Sequence, residues 1–316
     1  MNFQSLLTII LTLFLLMVSG YACRKLGIIT TESSKGLSRL IISVGQPMLI
    51  ISALENAPYS PENLKIGGEI VLIGFAIHAL LCLMAFCICK TMKKDPDQIK
   101  IFEFSLIFAN CGFIGFPILD SILGNGIGSF MGAFFVISFH LYLWTWGIMI
   151  LARGRADIRM TLKKALVNYG TIPCLIGVVL YLLKPILPLP DFLGKTFAYL
   201  GSLCTPVSVL VTGALIATIP LSKMFTSKRL YLHSAIKLIA FPLTVCLLAK
   251  LVGLSDTYVL LVTAMAGVPS AATVTMLAEL YDIEPAYASQ TVGMTSILST
   301  ATLPVVMLFA QWILSL

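Results

Sequence analysis

The chain has 316 residues, of which 58% are hydrophobic and only 11% charged, with a mean hydropathy of +0.98. Soluble domains carry about 25% charged and 45–50% apolar residues. A soluble globular protein, a disordered chain, a collagen-like chain and a small disulfide scaffold are therefore excluded, and lipid is the solvent for most of the sequence. A net charge of +7 would suggest nucleic acid in a soluble protein. Here it reads as topology, because Lys and Arg collect in cytoplasmic loops, and no nucleic-acid partner is expected.

A bilayer core about 30 Å thick takes about 20 apolar residues per helix. Ten runs meet that requirement, near 4–22, 37–54, 67–89, 101–123, 127–152, 166–184, 196–219, 230–252, 256–281 and 286–314. The fold class expected is an all-α membrane protein of ten helices. The first run lacks the basic start of a secretory signal, and Arg24 and Lys25 follow Cys23 at once, so it reads as a membrane span. The eight cysteines lie in or beside apolar runs without a C-x-x-C spacing, and read as small apolar residues. No metal or other cofactor is expected. Loops after odd-numbered runs hold 16 Lys and Arg, including Arg24, Lys35, Lys94, Arg153, Arg159, Lys163, Lys164 and Arg229. The opposite loops hold 4, namely Lys65, Lys184, Lys195 and Lys250. That bias puts the odd loops in the cytoplasm and both termini outside a plasma membrane.

Five helices followed by five of opposite topology make an inverted repeat, with halves at 1–152 and 153–316. Gly115-Phe116-Pro117 in run 4 matches Gly267-Val268-Pro269 in run 9. Gln46-Pro47 in run 2 matches Thr205-Pro206 in run 7. His78 and Lys237 each stand 31 residues beyond the proline of the preceding matched pair. Glycine weakens a helix by about 1 kcal/mol and proline by about 3, so the stretches 109–117 and 265–270 are expected to unwind and to cross.

Paired breaks in corresponding positions point to a transporter site. A half-helix N-terminus offers free N–H groups and a partial positive charge, which suit a carboxylate. With second half-helices starting near Pro117 and Pro269, the expected donors are the amides of Ile118, Leu119, Ser270 and Ala271. The candidate binding residues are Asn110, Cys111, Gly112, Gly115, Phe116, Pro117, Gly267, Val268, Pro269, Ser270, Ala271 and Thr273, with Gln46 and Thr205 facing them.

The chain resembles the auxin efflux carrier family, in its bacterial branch of malate and malonate permease-like proteins. The resemblance rests on the Asn110 to Pro117 run, Lys237-Leu-Ile-Ala-Phe-Pro242-Leu, Val268-Pro269-Ser270-Ala271 with Leu277 to Tyr281, and Ser289-Gln290 through Leu303-Pro304. It implies two inverted five-helix repeats similar to bile acid sodium symporters. It implies a scaffold of helices 1, 2, 6 and 7, and a mobile domain of helices 3–5 and 8–10 in which helices 4 and 9 are broken and cross. It also implies elevator-like movement of a small organic anion. Proton coupling, sodium coupling and homodimer formation remain open options. The long central loop of the plant members is missing here, since only 153–164 joins the halves.

Ionisable groups deep in a span are functional candidates by default. Lys237 is either a functional charge or snorkels to the cytoplasmic surface. Glu279 and Glu103 are charge candidates that read more simply as solvated caps. Asp120 follows Pro117 and suits the helix dipole or a cation. His78 and His140 are proton carriers or buried, hydrogen-bonded histidines. Neither a nucleophile–base pair nor a Walker sequence is visible, so neither an enzyme nor an ATP-driven pump is expected. A passive anion channel and a membrane sensor are the alternatives to a secondary transporter.

Overall fold

The computed structural model describes residues 3–93, 95–124, 126–155, 167–218 and 221–316. Lys94, Arg159, Lys163 and Lys164, and most of the 153–164 connection, lie outside the described residues. Everything regular among the described residues is helical apart from one isolated β-bridge. Along the chain come α1 (Phe3–Lys25), α2 (Thr31–Leu40), α3 (Gln46–Asn56), α4 (Pro61–Lys90), α5 (Pro96–Ile107), α6 (Phe116–Leu123), α7 (Ile127–Tyr142) and α8 (Ile148–Ala152). After the 153–170 connection come α9 (Thr171–Leu183), α10 (Asp191–Ser202), α11 (Cys204–Ile216), α12 (Leu221–Thr226), α13 (Lys228–Ala235), α14 (Phe241–Leu251), α15 (Asp256–Gly267), α16 (Ala272–Leu280) and α17 (Pro285–Ser315). Among the described residues, six stretches are long and apolar enough to cross a membrane by length and composition: Thr31–Asn56, Pro61–Lys90, Ile127–Ala152, Asp191–Ile216, Lys228–Leu251 and Pro285–Ser315. The chain is an all-helical membrane protein.

Local chemistry sets the helix starts. Ser60 caps α4 by accepting from the Asn63 N–H at 3.0 Å, with Pro61 at the first helical position. Asp95 does the same for α5 through the Asp97 and Gln98 amides, ahead of Pro96. Proline tolerates that place because its missing N–H would be unpaired there anyway.

Four π-turns interrupt the helices among the described residues, at Ile41–Gly45, Cys111–Gly115, Leu143–Gly147 and Ile236–Ala240. Three of them end two residues before a proline, Pro47, Pro117 or Pro242. Proline removes one i→i−4 bond. Widening the preceding turn by a residue keeps the rest: the Gln46 N–H reaches Ile41 O, Gly115 reaches Asn110 O, and Phe241 reaches Ile236 O. Pro117 therefore does not open a new half-helix. The π-turn runs straight into α6, and the second half of this span begins at Cys111.

Close packing uses glycine. Helix α1 lies along α11, and a Cβ at Gly20 would collide with Leu210 O while one at Gly213 would collide with Met17 O. Small residues at such places let helix backbones approach in lipid, where no hydrophobic force drives them together. Helix α3 packs on α9 and α10, and α4 on α7. Around the long α17 gather α5, α13, α15 and α16.

Candidate functional site: a crossing of two broken helices

Two interruptions meet in the middle of the bundle. Helix α5 stops at Ile107 and α15 at Gly267, and each chain runs extended for three or four residues before turning helical again. The extended pieces pair antiparallel at Ala109 and Ser270. The Asn110 amide donates to Pro269 O at 2.8 Å, and the Ala271 amide donates to Phe108 O at 2.9 Å. Non-helical backbone at membrane depth must be satisfied by protein, and side chains finish that task here. The Ser270 hydroxyl donates to Ser105 O at 2.8 Å, and the Ser270 amide donates to Thr295 Oγ1 at 3.3 Å.

This pairing corrects the expected set of anion donors. The amides of Ser270 and Ala271 are already engaged, and those of Ile118 and Leu119 lie within a continuous helix. The open N-terminus belongs to α16, which starts at Ala272 with no side-chain cap. First-turn amides of an uncapped helix lack intrahelical partners, so Ala272 and Thr273 replace Ser270 and Ala271 as the candidate donors.

Asn110, buried, lines two small cavities beside the crossing. One, of about 20 Å³, is lined by Gln46, Asn110, Cys111, Gly112, His140 and Thr273. The other, of about 30 Å³, lies toward α1 and α11, with Met17, Thr212, Ala272 and Ser296 in its wall. A water needs about 10–15 Å³ of such volume, so each holds a water or two and neither holds an organic anion in this conformation. A vestibule of about 910 Å³ lies on the side of Ala57, Pro58, Gly126 and Ser255, with Asn63, Phe116, Ser129 and Tyr258 in its wall. Leu49 lines both this vestibule and the cavity beside Gln46.

The remaining sequence candidates divide by place. Gln46 is buried, and its Nε2 lies 3.2 Å from His140 Nδ1; it joins the crossing from α3. Cys111 and Gly112 are there too, and the Cys111 thiol points at Met265 O, 3.7 Å away. Gly115 packs against Met265, and Gly267 against Pro242 and Leu303. Val268 and Ala271 are buried in the crossing itself. Phe116, with Pro117 next to it, faces the vestibule rather than the cavities. Thr205 lines neither cavity.

Four charge candidates lie elsewhere. Asp120 caps α7, accepting from the Gly126 and Ser129 amides at 3.0 and 2.8 Å and from the Ser129 hydroxyl. His78 Nδ1 lies 2.7 Å from Gly74 O and 3.4 Å from Ser138 Oγ, and the ring stacks on Tyr142. Glu103 and Glu279 are both buried, which overturns the reading of solvated caps. Arg153 clamps Glu103 with two hydrogen bonds, at 2.5 and 2.9 Å. Ser38 donates to Glu279 at 3.0 Å, beside a pocket of about 260 Å³ that also holds Arg24, Lys35 and Asp282.

Lys237 does not snorkel. It is 0% exposed, and its Nζ has no hydrogen-bond partner among the described residues. It lies in the π-turn before α14 and interacts electrostatically with Cys111 and His78. Sequence reasoning paired Lys237 with His78 and passed over His233, whose ring is also fully buried. The signal was present, because Arg229, His233 and Lys237 recur every four residues.

A protein described as an uncharacterized transporter, from Methanothermobacter thermautotrophicus, is 23% identical over 212 residues, covering 65% of this chain and 66% of its own length. The chain thus spans just under two thirds of that relative. The profile of the family described as "Membrane transport protein" matches residues 5–307. Over nearly its whole length the chain belongs to this membrane transport family, that of the auxin efflux carriers.

Proposed function

We propose that the protein is a secondary transporter of small organic anions, carboxylates of the size of malate or malonate, and that the carboxylate binds at the crossing. One observation carries the reading: two broken helices are bridged at Ala109 and Ser270, with the Asn110 amide side chain and the uncapped start of α16 beside the bridge. Backbone N–H groups of such a start, with the partial positive charge of the helix, favour an anion. Asn110 supplies a side-chain donor, and Gln46 and Thr273 supply further polar groups. The buried ammonium of Lys237 adds a full positive charge behind Cys111.

Transport follows an alternating-access motion. Helices α1–α3 with α9–α11 form the scaffold, and α4–α8 with α13–α17 form the moving body, arranged as two inverted five-helix repeats of ten spans. The vestibule lies on the side that the basic-residue bias puts outside, so the conformation described is open outward as far as Leu49. The Ser38–Glu279 contact ties α2 to α16 on the inner side. An elevator-like slide of the moving body breaks that contact and carries the crossing past Leu49.

The test is counterflow. Purified protein in proteoliposomes loaded with unlabelled malonate is given labelled malonate or malate outside. Saturable, trans-stimulated uptake supports an alternating-access carrier. Uptake that only follows the gradient, without trans-stimulation, identifies a passive channel and refutes the carrier reading.

A further inference from the structure

A file of basic side chains runs along one face of α13 into the following π-turn. Arg229, His233 and Lys237 are spaced four residues apart, which places them on a common face. At 1.5 Å per residue the file is about 12 Å long. At the end that the basic-residue bias puts toward the cytoplasm, the Arg229 guanidinium donates to Gln98 Oε1 at 2.7 Å and lies over the rings of Phe102 and Tyr287, at 5.5 and 5.0 Å. At the other end Lys237 reaches the neighbourhood of Cys111, next to the crossing.

The middle member can take up a proton. His233 Nε2 lies 2.8 Å from Ser105 Oγ. Ile101 O and Phe102 O lie 2.7 and 3.1 Å from that hydroxyl, and its single hydrogen is assigned to these carbonyls. Ser105 therefore accepts from His233 Nε2–H, a tautomer assigned from the hydrogen-bond network. Nδ1 then carries a lone pair, and it has no partner among the described residues. Lys237 Nζ, one helical turn further in, is equally unpartnered.

No carboxylate among the described residues pairs with Lys237. His78 on α4, Cys111 on the broken span and His233 on its own helix are the titratable groups that interact with it. From the other helices packed on this segment, Tyr258 of α15 donates to Glu69, Asp256 pairs with Lys250 of α14, and Tyr287 of α17 faces Arg229. Neither cavity at the crossing is lined by Asp or Glu, so a sodium ion there finds no carboxylate ligand. A bare charge is costly within the membrane interior, whether ammonium or carboxylate. Two states of the moving body avoid it: ammonium with a bound carboxylate, and free amine with an empty site.

We propose that Lys237 carries the coupling proton of transport and that His233 relays it to and from the cytoplasmic side, so that one proton travels with each anion and sodium is not used. This rests on the carboxylate reading of the crossing. On the outer side, a proton from water adds to the Nζ lone pair as the carboxylate enters. On the inner side the carboxylate leaves, Nζ–H gives its proton to the Nδ1 lone pair of His233, and the imidazolium returns it to water. Only N–H bonds form and break, and both side chains end the cycle as they began.

The experiment uses labelled malonate and the full chain in proteoliposomes, with the membrane potential clamped by potassium and valinomycin. Two readouts are taken: counterflow at equal pH, and net accumulation against an imposed pH gradient, with and without sodium. Wild-type protein should show counterflow and, for one proton per anion, accumulate malonate about tenfold per pH unit, whatever the sodium. Lys237→Arg keeps the charge but cannot release its proton. It should retain part of the counterflow and lose gradient-driven accumulation. His233→Gln should keep wild-type counterflow and slow gradient-driven uptake about tenfold. Both variants should elute as the wild type does on size exclusion. Counterflow without pH-driven accumulation in the wild type overturns this inference and leaves the carboxylate reading standing, as does full pH-driven accumulation by Lys237→Arg. Absence of counterflow removes both.

Discussion

Asn110 is the residue on which the site turns. It lies in the first break, its backbone amide donates to Pro269 O, and it lines both small cavities beside the crossing. Asn110→Ala should weaken malonate binding by about 1.5–3 kcal/mol, the size of a hydrogen bond to a charged group, or roughly tenfold to a hundredfold. Calorimetry on folded protein reads this directly, and an unchanged dissociation constant would move the site elsewhere. A second residue-scale test concerns Glu103 and Arg153. The Glu103 side chain is 1% exposed and that of Arg153 is 42% exposed. Arg153→Met strands a buried carboxylate and should cost about 3–5 kcal/mol, whereas Glu103→Gln leaves an arginine that water reaches. Thermal unfolding in detergent should rank the first variant well below the second; the reverse order would refute the asymmetry. Several site residues were legible in the sequence because glycine, proline and a lone intramembrane Asn are unusual in a span. The Gln46–His140 contact, the Phe108 carbonyl that engages the Ala271 amide and the Thr295 hydroxyl that engages the Ser270 amide were not, because they join residues 94, 163 and 25 positions apart, and no local pattern encodes such distances.

At the scale of elements, apolar run length pointed to the helical stretches, while proline misled on where one half-helix begins. Pro117 follows a π-turn that absorbs its missing N–H, so the break falls seven to nine residues earlier, at 108–110. In the other half the extended stretch 268–271 coincides with Pro269, and there the composition argument located the break correctly. Nothing local distinguishes the two outcomes; the crossing partner decides them, because Ala109 and Ser270 must meet. The α1–α11 contact offers an element-scale prediction. Gly20→Leu or Gly213→Leu drives a side chain into the facing backbone, and overpacking of this kind costs at least about 1–3 kcal/mol. Both variants should lower the melting temperature and the folded yield, while Gly36→Leu, with nothing near it, should not. Equal stability of all three would show that the helices do not approach so closely.

For the whole molecule, the basic-residue bias predicts which loops face the cytoplasm. In sealed cells on a cysteine-free background, a membrane-impermeant maleimide should label Tyr59→Cys and leave Asp95→Cys untouched until the cells are opened. Labelling of Asp95→Cys from outside would invert the topology, and with it the outward-facing reading of the vestibule. The most direct test of the central claim is a cryo-electron microscopy structure of the protein with malonate. The account predicts density for the anion at the crossing, between the Asn110 side chain and the Ala272 and Thr273 amides, with Leu49 displaced from the present contact. Density placed instead in the inner pocket of Arg24 and Lys35, with the crossing empty, would contradict it.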